Sequence, residues 1–88
     1  MIVIKKDGHE EIFKKEKAYG SIYESCLNAH HEKKKATNIA KKTVNDLIKE
    51  LKGKKKITSE HVFKLIATLL EKYDEDAAFL YETHRDIS

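Results

Sequence analysis

Two periods run through the apolar positions of this chain, and the switch between them marks its first boundary. From Lys15 onward hydrophobic residues recur at steps of one, three and four, the spacing of helices; ahead of it they alternate about a turn signal, the spacing of strands. Ile2-Val3-Ile4 and Ile12-Phe13 flank Asp7-Gly8, and an Asp-Gly pair is a strong hairpin signal because glycine tolerates the positive φ of a two-residue turn. Strands are therefore predicted over 2–6 and 9–13. A two-residue turn pairs Lys6 with His9, Lys5 with Glu10, Ile4 with Glu11, Val3 with Ile12 and Ile2 with Phe13. One face then carries Ile2, Ile4, Lys6, His9, Glu11 and Phe13, and the other Val3, Lys5, Glu10 and Ile12. Both faces are apolar at the open end and charged at the tip. A lone hairpin is marginal in water, so its open end must rest on something else.

The remainder divides into four helical segments. From Lys15 to about His30 the stripe is Ala18, Tyr19, Ile22, Tyr23, Cys26 and Leu27, weakened slightly by Gly20. The clearest pattern runs from Glu32 to about Lys52, with Ala36, Ile39, Ala40, Thr43, Val44, Leu47, Ile48 and Leu51 on one side. Gly53 stands just past its end, and lysines in the last turn suit the negative end of the helix dipole. After the basic linker Lys54–Lys56, Thr58 or Ser59 can cap a third helix whose inward residues are Val62, Leu65, Ile66, Leu69 and Tyr73. Ile57 and its neighbours can add a short third strand to the hairpin. Asp74, Glu75 and Asp76 place negative charge at the start of a fourth helix with Ala77, Leu80, Tyr81 and His84 on one side. The expected fold class is α+β: a hairpin or small three-stranded sheet followed by four helices, in one domain over 1–88, with no internal repeat.

Composition narrows the setting. An 88-residue chain buries about 60 to 65% of the surface it exposes unfolded, enough for one core. With 40% apolar and 38% charged residues it reads as globular, and no apolar run approaches the about 18 residues that span a bilayer. The opening MIVIKKDG puts apolar residues ahead of basic ones, the reverse of a secretory leader, so the cytoplasm is the expected location. Cys26 is the only cysteine, which leaves no internal disulfide and no four-cysteine zinc site, and fits a reducing compartment. The net charge is +3 from 18 basic and 15 acidic residues. That balance allows polyanion binding without demanding it. A high charged fraction with no proline or glutamine leans toward a heat-adapted composition.

No arrangement of side chains reads as catalytic. Cys26 falls on an apolar stripe without an activating base at helical spacing, as expected of an inert packed thiol. His30 and His31 point about 100° apart on a helix and do not converge on one metal. Lysine runs at 33–35, 41–42 and 54–56 are open to a nucleic-acid reading. Glu32, Asp46 and Glu50 on the same helix make a solvated charged face the commoner one. At the hairpin tip Lys5, Lys6, Glu11, Lys14, Lys15 and Lys17 gather cations and a carboxylate beside the start of a helix. Free amides and the helix dipole suit that place to phosphate oxygens. A charged strand edge that discourages aggregation has the same composition, so both readings stand at this point.

The run V-I-K-K-D-G-x-x-E-x-F-x-x-x-K, Val3 to Lys17, resembles the opening of the ATP-cone family, V-x-K-R-D-G-x-x-E-x-F-D-x-x-K. The likeness continues through Ile57-Thr58-Ser59, which matches a short I-T/S segment before the third helix. It extends to a closing A-x-x-Y-x-x-x-R, matched by Ala78, Tyr81 and Arg85. The resemblance implies a non-catalytic regulatory domain, of the kind found at the N-terminus of ribonucleotide reductase large subunits and in the repressor of reductase genes. It also implies a small three-stranded sheet lying as a lid over four helices, with ATP or dATP between them and Mg²⁺ on the phosphates. Nucleotide occupancy would be coupled to oligomerisation, or to the activity of a reductase, kinase, nuclease or repressor domain in cis or in trans.

By the same resemblance, Lys5 and Lys6 are the phosphate-contacting pair and Gly8 the turn of the ribbon. Glu11 belongs to the adenine side, where a carboxylate accepts from the exocyclic amine. Val3 and Phe13 wall the base, Lys17 is a further phosphate ligand, and Ser59 brings a hydroxyl near the nucleotide. Strictly extended strands would aim Lys5 and Lys6 to opposite faces, so joint contact requires help from twist or tip geometry. The chain departs from the family at Lys6 for arginine, Lys14 for aspartate, Ala18 for a larger aliphatic residue and Phe63 for a histidine found in some members. These changes leave the preference between ATP and dATP, and the number of nucleotides bound, open. Two other readings remain at the level of sequence: a small basic helical module for nucleic acid, and a protein-interaction bundle with a structural ribbon.

Overall fold

The strongest helical pattern becomes the longest element, α2 over Lys33–Leu51, and the other elements are arranged around its buried face. A computed structural model describes residues 1–83. In chain order these form β1 (Ile2–Ile4), β2 (Glu10–Ile12), α1 (Lys15–Asn28), α2, β3 (Lys56–Thr58), α3 (Ser59–Glu71) and α4 (Glu75–Thr83). His84 and Arg85, expected on the fourth helix and in the closing signature, lie outside the described residues. No helix among the described residues is long and apolar enough to cross a membrane.

The core follows the predicted stripes closely. Ile22 of α1, Leu47 of α2 and Ile66 and Leu70 of α3 are its largest fully buried aliphatic side chains. Ala18, Cys26, Ala36, Ile39, Ala40, Val44 and Leu51 fill the space between them. Thr43 is also fully buried, and its hydroxyl donates to the Ile39 carbonyl at 2.8 Å, so it carries no unpaired polar group inward. Cys26 is inert packing as expected, with burial pushing its thiol up to about 11.

Two expectations about the helical stripes need correction. Ile48 is 41% exposed, because it sits at the margin of the α2 stripe and α2 packs its centre inward. Tyr73 does not point into the core. α3 ends at Glu71, the chain turns at Lys72 and Tyr73, and the Tyr73 hydroxyl donates to Asp46 at the surface. Ala67 and Leu70 occupy the interior positions of α3 instead, beside Ile66 and Leu69. Of the two residues expected to cap α3, Thr58 does so, its hydroxyl accepting from the His61 amide at 3.1 Å, and Ser59 is the first residue of the helix.

The hairpin departs from expectation by one residue. Its strands are shorter than predicted, and its partners are Ile2 with Ile12, Val3 with Glu11 and Ile4 with Glu10. The cause lies in the turn. The Gly8 amide donates to the Lys5 carbonyl at 2.9 Å and the Lys5 amide to the His9 carbonyl at 2.9 Å. The loop therefore holds three residues, Lys6, Asp7 and Gly8, closed by Gly8 at φ +91°, in the manner of a β-turn followed by a left-handed residue. A one-residue slip exchanges the cross-strand neighbours on each face. Val3, Lys5, Glu11 and Phe13, divided between two faces by the predicted pairing, come together on one.

The expected third strand is present. β3 runs parallel to β1, with Val3 beside Ile57, and the sheet order is β2-β1-β3. Val3 and Ile57 are both buried, 8% and 6% exposed, and join the helical core. On the outer face Lys56 reaches over β1 to Glu10 at 3.0 Å.

The two remaining connections use helix-end chemistry. At the end of α1 the His30 amide donates to the Leu27 carbonyl at 3.0 Å and the His31 amide to the Cys26 carbonyl at 3.2 Å, while His30 takes φ +66°. This is the Schellman pattern with histidine where glycine is usual. His31 then turns inward to the Asp74 carboxylate, so the two histidines diverge. Asp74 also accepts from the Ala77 amide at 2.8 Å and so caps α4. Burial alone would raise its pKa, but the Ala77 amide and His31 hold the carboxyl below the usual range.

Two outcomes follow for stability. His30→Gly should stabilise the fold by about 1 kcal/mol in urea denaturation, by removing the steric cost of a left-handed non-glycine residue. Asp74→Ala should destabilise it by about 1 to 2 kcal/mol near neutral pH. Because the native pKa of Asp74 is depressed, its contribution is present above the unfolded value of 3.8 and disappears as pH falls below it. The gap between variant and parent in parallel melts should therefore narrow in acid.

Candidate functional site

A crevice of about 910 Å³ opens between the inner face of the sheet and the helices. Its lid side is lined by Val3, Lys5, Glu11 and Phe13, with Lys6, Asp7 and His9 toward the tip and Ile12 toward the open end. The helical side comes from the beginning of α1 (Lys17, Ala18, Ser21), the beginning of α3 (Ser59, Glu60, Val62, Phe63, Ile66) and Tyr81 of α4. The size lies in the range of about 300 to 1,000 Å³ usual for small-molecule sites.

Each wall follows from local sequence. Alternation along β1 aims Val3 and Lys5 inward, and the slipped register adds Glu11 beside Val3. Lys6 occupies the turn and not the strand, which frees it from that alternation. The difficulty that extended strands pose for joint use of Lys5 and Lys6 is thereby removed, since both line the crevice. Lys17 is the third residue of α1, whose N-cap Lys14 makes no side-chain cap bond. Of the eight residues expected at the site, Val3, Lys5, Lys6, Glu11, Phe13, Lys17 and Ser59 line this crevice, whereas Gly8 only shapes the turn beside it.

The crevice is electrically divided. Three lysines stand at its mouth, while Val3, Phe13, Val62, Phe63 and Ile66 contribute apolar surface further in. Phe63 stacks on Tyr81 with ring centroids 5.0 Å apart and planes 20° from parallel. Burial pushes the Tyr81 phenol up to about 12, partly offset by Ser21. At the lid edge Glu11 lies between His9 and Lys17, with Oε2 2.7 Å from His9 Nε2 and Oε1 3.9 Å from Lys17 Nζ. His9 Nδ1 is 2.9 Å from Asp7 Oδ1, which also accepts from the His9 amide at 3.0 Å. Asp7 and then Glu11 raise the pKa of His9 by hydrogen bonding, and His9 in turn lowers both carboxyls. Among the described residues no group of three or more His, Cys, Asp or Glu side chains is arranged to hold a metal ion.

Residues 1–87 match the family of the ATP cone domain. The chain belongs to that family. A curated relative, the transcriptional repressor NrdR of Carboxydothermus hydrogenoformans, is 28% identical over 92 residues, a match that covers all of this chain and 58% of the repressor. The chain thus spans little more than half the length of that relative. Membership makes it a regulatory nucleotide-binding domain of a kind that binds adenine nucleotides.

Within this cone the structure adds residues that the sequence reading left out of the site. Ser21, Val62, Ile66 and Tyr81 reach the crevice because α1, α3 and α4 converge beneath the lid; the stripes mark Val62, Ile66 and Tyr81, but that they meet at the lid is a tertiary fact. Phe63 was noted only as a departure from the family pattern. His9 did carry a signal, since His9 and Glu11 stand two apart on the predicted strand 9–13, which puts them on one side of it, whereas Asp7 reaches the crevice from the turn.

Proposed function

We propose that this cone binds ATP or dATP in the crevice and acts without catalysis, passing nucleotide occupancy to a further domain or protein. The observation that carries the reading is the convergence of Lys5, Lys6 and Lys17 at one mouth of a crevice that also holds Glu11 and an apolar interior. Lysines at the mouth suit a triphosphate, whose charge can stay partly solvated there. The carboxylate of Glu11 can accept from the exocyclic amine of adenine, which a guanine carbonyl at the same place cannot supply. Val3 and Phe13 offer apolar contact to the base, and the Ser59 hydroxyl lies within the same crevice. Mg²⁺ would travel with the phosphates, which supply its oxygen ligands.

Coupling to oligomerisation or to a partner requires the ligand to favour one of two states through differential contacts. The lid lies directly over α1 and the start of α3, so occupancy can alter how the helices are presented. α3 and α4 are the proposed output surface. The family's regulatory character and the repressor among its relatives support a controlled unit of some kind, a reductase, kinase, nuclease or repressor domain in cis or in trans, or a second copy of this chain.

Thermal denaturation with ATP, dATP, GTP and AMP, with and without magnesium, tests the reading. At a hundred times its dissociation constant an adenine triphosphate should stabilise the fold by about 2.7 kcal/mol and raise the midpoint by about 11 to 22 °C. GTP and AMP should shift it far less. Equal shifts with ATP and GTP would remove the role given to Glu11. Retention on duplex DNA that falls steeply with salt and ignores nucleotides would replace the proposal with a nucleic-acid-binding module.

Charge removal gives a second test. Lys5→Ala and Lys17→Ala should each weaken ATP binding by about three- to tenfold in calorimetry, the effect of a partly solvated charge contact. Lys55→Ala, on the linker away from the crevice, should leave affinity unchanged.

A further inference from the structure

The contact between His9 and Glu11 has a chemical requirement that the nucleotide reading leaves unused. Both ring nitrogens of His9 face carboxylate oxygens, Nδ1 at 2.9 Å from Asp7 and Nε2 at 2.7 Å from Glu11. Ionised carboxylates only accept, and a neutral imidazole donates from one nitrogen alone. Both contacts are therefore satisfied only by the imidazolium. A neutral ring sets two lone pairs against each other at one of the two distances, and that carboxylate must move.

We propose that His9 is a positioning residue for Glu11, a protonated clasp that makes adenine triphosphate binding tighten as pH falls. The inference rests on the reading of the crevice as a nucleotide site. His9 stands at a position that the pattern D-G-x-x-E leaves open, so the assignment belongs to this chain and not to its family at large.

Two effects act in the same direction. An ionised carboxylate offers about four acceptor sites, of which His9 engages one while Lys17, 3.9 Å from the other oxygen, attracts without a hydrogen bond, so the remaining sites can receive the exocyclic amine with the carboxylate already held in place. The imidazolium also adds a positive charge to the mouth where Lys5, Lys6 and Lys17 stand. The charged and titratable groups that line the crevice with His9 are Lys5, Lys6, Asp7 and Glu11 of the lid, Lys17 of α1, Glu60 of α3 and Tyr81 of α4. The lysines oppose protonation, but the two carboxylates are in direct contact with the ring and raise its pKa.

The test is ATP affinity from pH 6 to pH 9 for the parent protein, His9→Ala and His9→Gln, with nuclear magnetic resonance titration of the His9 ring in the same samples. The nucleotide's own titration is common to all three proteins and cancels in the comparison. The parent should lose about two- to fivefold in affinity relative to His9→Ala as His9 deprotonates, the effect of one solvated charge contact. His9→Gln, able to donate to Glu11 at every pH, should recover part of the affinity with a flat difference profile. By reciprocity, ATP should raise the His9 midpoint. In the free protein Glu11→Gln should lower that midpoint. Parallel pH profiles for parent and His9→Ala, or a midpoint unmoved by Glu11→Gln, would overturn the clasp while leaving the nucleotide site intact. Absence of ATP binding by the parent at every pH would overturn the nucleotide reading and the clasp with it.

Discussion

Val3 and Ile57, lying side by side beneath the sheet, form the contact on which the rest of this structure depends. Each is nearly closed to solvent, and each belongs to a strand of three residues that has no stability of its own. Their shared burial fastens the hairpin to the segment that runs straight into α3. It also sets the spacing between lid and helices. Remove that anchor and the cations of the hairpin tip lose their fixed relation to Lys17 and Ser59, although every helix of the bundle could still pack.

The same anchor divides the crevice chemically. Close to Val3 the walls are apolar, because the inner sheet face must bury itself against α1 and α3. Toward the tip the strands leave the core, and lysines, carboxylates and a histidine take over, since there is no longer a neighbouring apolar surface to cover. A ligand with a flat apolar end and a highly charged tail matches that gradient. The gradient follows from a short ribbon that is docked at one end and free at the other.

Much of this was legible in the residues. The apolar stripe of α2, the glycine past its end, the acidic start of α4 and the third strand around Ile57 all stand where patterning put them, since helix-period spacing and end chemistry are local properties. The hairpin register was not legible. Asp7-Gly8 signals a turn without specifying whether two or three residues form it, and the difference is decided by whether Gly8 alone or the pair takes the left-handed conformation. That one choice regroups Val3 and Lys5 with Glu11 and Phe13. Tyr73 was assigned inward because it continues the α3 period, but the helix stops before reaching it. The crevice walls from Ser21, Ile66 and Tyr81 depend on how four helices meet, which no single stretch encodes. Family likeness pointed to Lys5, Glu11 and Lys17 as a group, and the fold brings them to one mouth.

Because β3 joins the sheet in parallel with β1, the lid is closed by a pairing between residue 3 and residue 57, with two complete helices in between. The hairpin and the helices can each form from near neighbours. The parallel ladder cannot, because it requires the ends of a long intervening loop to be brought together first. Lid closure therefore carries a loop-closure cost that the hairpin and the helices do not. The amides of β1 that face β3 should exchange with solvent through sub-global opening while those of α2 are still held.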